Sequence, residues 1–407
     1  MQDLKTKILN AVAANQAQIL EFTKTLVAIP TENPPGAYYK PCVEAIGREL
    51  SEIGLNYEMI EVPTPADAQG QTYPRYCILG SYGSGRRTLY FHGHYDVVPA
   101  ASPDQFDPRL QGNRLLGRGS SDMKSGLAAM IYAIKAVKSA GVDLDGKIGL
   151  AIVPDEETGG LLGSRYLADT GLLGQNGIGM LLPEPTSGVI WNAHRGAISL
   201  RITVQGKPAH VGLQYAGINA FETMLPVANA LLELKREVEC RTTAYNVQPD
   251  AARRSILMMG GHTKGGTSFN LVPGEFSFTV DRRINPEENL DVEKRRLLTL
   301  LEAVREDGID LEIEILQEGG TSATAEDDPL AQVLGRNIEI VTGKPAKFEM
   351  CPGILETRFY SELGIPALSY GPGLLSVSHG PDEFVNVEDI YNCTAIYALS
   401  ALEMLSA

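Results

Sequence analysis

No stretch of the sequence is apolar for the roughly 20 residues that a membrane-spanning helix needs. Positive charge is also short: 35 Lys and Arg stand against 50 Asp and Glu, a formal net charge of −15. Nucleic-acid phosphates call for the opposite sign, so no nucleic-acid partner is expected. The five cysteines (Cys42, Cys77, Cys240, Cys351, Cys393) are odd in number, scattered, and never spaced C-x-x-C. Free thiols in a reducing compartment fit that usage, with the cytoplasm as the expected location. Nothing beside any of them would lower a thiol pKa, which argues against a catalytic cysteine. The N-terminal stretch lacks the apolar core and cleavage site of a secretory signal and reads as an amphipathic helix. Histidine is scarce as well, at six in the chain, so each one's position carries information.

What is present is ordinary globular composition, 43% hydrophobic and 21% charged, in 407 residues, a length that favours two cores. Helix signals over 3–28, 41–53 and 124–139 alternate with strand-like runs over 56–62, 75–79, 89–91, 147–153 and 177–182. That grammar describes an α/β domain with a mixed, mostly parallel sheet and helices on both faces. Residues 100–120 read as loop. Past 190 the pattern changes. Strands are expected over 197–205, 255–259, 275–282 and 310–317, with helices over 216–238 and 286–306. This is the β-α-β-β-α-β order of a ferredoxin-like α+β unit. From 328 the first grammar returns, with helices over 329–341 and 387–405 and a strand over 367–370. The reading is a catalytic domain from 1–190 and 318–407, interrupted by an inserted domain at 191–317, with 318–324 as the return hinge.

Three of the expected strands run straight into acid or imidazole. His94 and Asp96 follow 89–91, Glu156 and Glu157 follow 147–153, and Glu184 follows 177–182. Open α/β sheets place their ligands at such carboxyl ends. Asp122 and His379 lie in loops, GRGSSDMK and SHGPDEF. Imidazole with carboxylate suits zinc or a similar divalent ion. Five ligands suit two ions sharing a carboxylate better than one tetrahedral ion, and ions about 4 Å apart can jointly activate a water and polarise a carbonyl. Adjacent glutamates make sense if one binds metal while its neighbour takes a proton. Asp96 suits a residue that orients the His94 ring. His92, on the strand itself, reads as a satisfied core histidine, and His194 and His262 as structural or surface residues. Gly117-Arg118-Gly119 reads as a loop near the site, not as a nucleotide-binding turn.

HGHYDVVP, GRGSSDMKSG, DEETGG, PEPTSG and SHGPDEF, in that order, resemble the five metal-site motifs of the M20 metallopeptidase/deacylase family. Within it the chain is most similar to the acetylornithine deacetylase / succinyl-diaminopimelate desuccinylase branch, over nearly its whole length. The resemblance implies two divalent ions, zinc with cobalt or manganese as substitutes. His94 and Glu184 would hold one and Glu157 and His379 the other, with Asp122 bridging. It further implies Glu156 as general base, Asp96 as orienter of His94, and a cis Asp122–Met123 peptide. In the inserted domain, GKPAH (206–210) matches the family's lid motif. The resemblance implies that this motif's histidine, here His210, reaches across a homodimer to stabilise the oxyanion in the partner's active site. Asn270 and Arg283 match residues that handle the substrate's carboxylate and carbonyl, while strand alternation turns Arg282 the other way.

The chain also departs from the family. Ile354 stands where desuccinylases carry a threonine, Glu356 is similar to the acetylornithine branch, and Arg358 keeps the position of a substrate arginine. Pro183 precedes Glu184 where glycine is usual. The implied activity is removal of an acyl group from an N-acyl amino acid or a similar small amide. A dipeptidase or carboxypeptidase is the alternative. A non-catalytic metal-binding protein is a third reading, set back by the filling of every ligand and base position.

Overall fold

The sheet that carries the site is organised around the strand Asp145–Val153, whose last six residues are buried. The strand Arg75–His94 meets it twice. Ile78 lies opposite Ile152 and Gly83 opposite Lys147; then Thr88 lies opposite Lys147 and His94 opposite Val153. The two halves therefore pass the same strand in opposite directions. Gly83 and Gly85, both at positive φ, permit the reversal, and a Cβ on Gly83 would sit 2.5 Å from the Gly146 carbonyl oxygen. The two runs expected at 75–79 and 89–91 are thus one folded-back element. Its second half pairs with Gly177–Leu182 in parallel, and that strand pairs in parallel with Ala367–Ser369. Asn56–Val62 lies antiparallel to the first half. The sheet is mixed: the second half of the folded-back strand and its neighbours pair in parallel, as crossover connections require, while the first half and Asn56–Val62 run antiparallel.

The computed structural model describes residues 1–406. The chain forms two compact units: Met1–Asn192 with Ala323–Phe348 and 356–406, and Ala193–Ser322 with Glu349–Leu355. In the first, the helices Gln2–Val27, Lys124–Ser139 and Val387–Leu405 pack on one another. Small buried residues (Ala129, Ala133 and Ala136; Ala398 and Ala401) let helix axes approach closely, and Leu127, Ile131 and Leu402 belong to the same buried core. The stretch 100–120 holds more order than its loop-rich sequence suggests. Arg109–Gln111 and Arg114–Leu116 form a hairpin, and Phe384–Asn386 joins it antiparallel. These strands are three residues long, too short for an alternating pattern to register.

The second unit is a four-stranded antiparallel sheet, ordered Ile256–Gly265, Glu275–Ile284, Gly196–Gln205, Leu311–Gly319, which is the ferredoxin-like arrangement. Helices Ala220–Val238 and Leu290–Glu306 bury Leu231 and Leu297 against Ile202 and Val280. Both helices start later than expected, at 220 and 290, not at 216 and 286. The cause is local: the Asn219 side chain accepts from the Phe221 and Glu222 amides, and Asn289 accepts from the Val292 amide. The stretch placed in the hinge also differs. Glu318 and Gly319 complete the strand Leu311–Gly319. Residues 349–355, expected in the catalytic domain, belong with the second unit. Met350 packs with Ala193 and Val247 there, and its amide donates to the Asn246 carbonyl. Among the described residues no helix is long and apolar enough to cross a membrane.

Candidate metal centre

Strand register assembles the site. Phe91 lies opposite Leu181 in a parallel pair, so His94 and Glu184, each three residues on, leave the sheet side by side. His94 in turn lies opposite Val153, and three residues past Val153 the chain reaches Glu156. Two loops complete the set, one carrying Asp122 and one carrying His379. Asp122 belongs to two groups of convergent ligand atoms, His94–Asp122–Glu184 and Asp122–Glu157–His379, with the atoms of each group within 4.8 Å of one another. Its two oxygens divide between them: Oδ1 lies 3.4 Å from His94 Nε2, and Oδ2 lies 3.2 Å from His379 Nε2. Glu184 Oε1 is 3.6 Å from His94 Nε2, and Glu157 Oε2 is 3.3 Å from His379 Nε2. The Asp122–Met123 peptide is cis.

His94 Nε2, Glu184 Oε1 and Glu157 Oε1 are buried without a hydrogen-bond partner. Orphaned polar atoms of this kind cost stability in a folded interior. Three of them converging around one shared carboxylate is a donor set that fits divalent cations. The charges say the same. Burial disfavours charge on His94, but the carboxylates of Asp122, Asp96 and Glu184 around it outweigh that cost and hold the imidazole well above its usual range. Hydrogen bonds to Asp122 and Glu157 push His379 up to about 11. Burial works to raise Asp122, and the two imidazoles more than reverse it, leaving Asp122 below the usual carboxylate range. Glu184 is pushed up to about 8 by burial and the Asp122 charge. Burial also raises Glu157, and it raises Glu156 strongly, helped by Glu184 and Glu157 against the opposing pull of His94. This is a pocket with more negative charge than its own protons balance comfortably.

Asp96 touches more than the His94 ring. The His94 Nδ1 contact runs 3.0 Å to the Asp96 backbone carbonyl, closer than the 3.3 Å to its carboxylate. That carboxylate instead accepts the amides of Glu156 and Glu157, both at 3.2 Å, and the Asn33 side chain at 2.8 Å. Asn33 also reaches Thr158. One strand-end aspartate thus pins the short turn bearing both glutamates. Glu156 Oε2 stands 4.0 Å from His94 Nε2, beyond hydrogen-bond reach. His92 is buried between Glu356 at 2.8 Å and the Tyr360 hydroxyl at 3.1 Å, and it takes no part in either ligand group. The expected substrate arginine, Arg358, is buried; it donates to the Gly159 carbonyl at 2.8 Å and lies over the Phe359 ring. Its guanidinium therefore steadies the same turn from the other side.

The remaining residues singled out lie in the second unit. His210 is exposed, and its Nδ1 accepts the Gly212 amide at 3.1 Å. Asn270 accepts from the Ser268 hydroxyl. Arg283 is half-buried and paired with Asp281, whereas Arg282 is fully buried against Glu288 and Glu293. The two arginines do face opposite ways. Arg118 and Glu383, to which the sequence assigns no role, form a buried ion pair beside Asp122. Their positions inside two of the ligand motifs are the only signal that could have raised them.

Residues 90–403 match the family model of peptidase family M20/M25/M40. A succinyl-diaminopimelate desuccinylase of Polynucleobacter necessarius is 28% identical over 401 residues, 95% of this chain and 99% of its own. Another, from Alkalilimnicola ehrlichii, is 27% identical over 94% of this chain and 97% of its own. Among solved structures, an M20 family metallo-carboxypeptidase from Sulfolobus solfataricus superposes with a TM-score of 0.77 at 16% identity, covering 95% of this chain and 99% of its own. A di-peptidase from Saccharomyces cerevisiae does so with a TM-score of 0.76, also at 16% identity, covering 99% of each chain. Those two likenesses show the fold. With the family match spanning most of its length and its ligand groups at the sheet's edge, the chain belongs to peptidase family M20/M25/M40 and is a metal-dependent amide hydrolase.

Proposed function

We propose that the protein removes the acyl group from an N-acyl amino acid or related small amide, working with two divalent ions and as a homodimer. The observation that carries this reading is the place of Asp122 in both ligand groups, one oxygen toward each imidazole. His94 and Glu184 would hold one ion, Glu157 and His379 the other. When bound, the ions, zinc with cobalt or manganese as substitutes, polarise the amide carbonyl and make a water nucleophilic at neutral pH. Glu156, adjacent to a ligand but outside both groups, accepts the proton of the attacking water. A carboxylate in that place can hold the proton and return it to the leaving amine. The carbonyl carbon gains the water oxygen and loses the nitrogen, giving a carboxylic acid and an amine.

His210 is prepared for its part. Because Nδ1 accepts the Gly212 amide, the neutral ring carries its proton on Nε2. It offers that N–H to the oxyanion in the partner subunit's site. Asn270 and Arg283 engage the substrate's carboxylate and carbonyl. Two desuccinylases among the relatives support an acyl-amino-acid substrate. The dipeptidase and carboxypeptidase among the structural neighbours favour a peptide as the second reading. A panel of N-succinyl and N-acetyl amino acids and dipeptides, offered to metal-stripped protein with and without zinc, decides. Zinc-dependent release of amine from the acyl substrates is expected. Zinc-dependent cleavage of the dipeptides alone would transfer the assignment to the peptidase reading.

A further inference from the structure

Behind the His379–Asp122 contact, the loops carrying these two residues are joined by a second, buried ion pair, Arg118–Glu383, whose members are both about 1% exposed. Glu383 Oε1 accepts the Ser121 amide at 2.9 Å and the Asp122 amide at 3.1 Å. Arg118 Nη2 donates to the His379 carbonyl at 3.1 Å and to the Pro99 carbonyl at 3.4 Å. The pair therefore grips the backbone of the shared carboxylate with one hand and that of the half-exposed imidazole with the other. His379 sits at φ +65°, in the left-handed region that non-glycine residues seldom adopt. Such a conformation persists only where its surroundings fix it. A buried ion pair gives little net stability against apolar replacements of similar size, so this pair calls for a role other than bulk stability.

We infer that Arg118 and Glu383 are a positioning pair that sets the geometry of the Asp122–Glu157–His379 group while leaving His94–Asp122–Glu184 to the sheet. The inference rests on the reading that each group holds an ion. Arg118 acts on the His379 side. Glu383, through its acceptor oxygen, holds Asp122, which both groups use. Replacing Arg118 while keeping an oxygen acceptor at 383 should therefore loosen one group and spare the other.

The test is a calorimetric zinc titration of the metal-stripped chain, with melting temperatures recorded in parallel. Wild type is compared with the double variant Arg118→Met/Glu383→Gln, which retains the acceptor and leaves no buried charge, and with Arg118→Lys, which retains the charge without the planar fork. Wild type should bind two ions in two steps. The double variant should keep the first step and weaken the second by about 10- to 100-fold, the usual effect of losing a residue that orients a ligand. Arg118→Lys should fall between, and it decides the matter if the double variant does not fold. An unchanged second step in the variants, or equal weakening of both steps with a lowered melting temperature, would overturn the inference. A single step in wild type would instead remove the two-ion reading on which it stands.

Discussion

The two ligand groups share Asp122 and differ in almost everything else. His94 and Glu184 leave adjacent parallel strands in register, both are nearly inaccessible, and their unpartnered atoms face each other across 3.6 Å. Glu157 lies in a three-residue turn, and His379 in a loop with half its side chain exposed. The first group is a property of the sheet. The second is assembled from loops and needs outside support: Asp96, Asn33 and Arg358 hold the turn, and Arg118 and Glu383 hold the loop. Rigid elements position ligands more closely than loops do, so the sheet-borne site should fill first and release last.

The largest effect should come from the residue common to both. Asp122→Ala should abolish binding of both ions and reduce amide hydrolysis to background, measured by metal analysis and turnover on one preparation; an activity that survives would deny the shared role. Next comes Glu156→Gln, expected to lower kcat by about 10²- to 10⁴-fold. Metal stoichiometry should stay at wild-type level, since Glu156 belongs to neither group. A variant that loses metal as well would make Glu156 a ligand.

Removing one imidazole at a time sharpens the contrast. His379→Ala should leave one tightly held ion and a nearly unchanged melting temperature. His94→Ala should disturb both, because it leaves buried Glu184 and Asp122 without their cationic neighbour. Matching outcomes for the two variants would erase the distinction between the groups. The smallest effect concerns pH. His94 and His379 have raised pKa values and Glu184 is pushed up to about 8, so the metal-free site carries protons at neutrality that an ion must displace. Zinc binding should therefore release protons, and apparent affinity should climb from about pH 6 to about pH 8. Calorimetry in buffers of different ionisation enthalpy reads this directly.

The sheet-borne half was the more legible in the sequence, and for the same physical reason that it is rigid. An apolar run ending in His94 or Glu184 marks a strand and its ligand in one stroke. The ferredoxin-like insertion was equally visible through its alternating strands. What did not show is held by contacts remote in sequence. Arg118 and Glu383 look like ordinary surface charges until the fold buries them 265 positions apart. Asp96 works largely through other residues' amides, which leave no trace in composition. The reversal after Gly83 was hidden because each half of the folded-back strand reads as a strand in its own right. Helix starts at Ala220 and Leu290 were set by Asn219 and Asn289, capping residues that the apolar pattern overran.

The central claim is that one carboxylate bridges two ions, and X-ray absorption spectroscopy of the zinc-loaded protein, with metal counted on the same sample, tests it most directly. Two ions per chain and a metal–metal scattering distance of about 3.5–4 Å are expected. One ion per chain, or two ions with no metal–metal scattering at that distance, would contradict it.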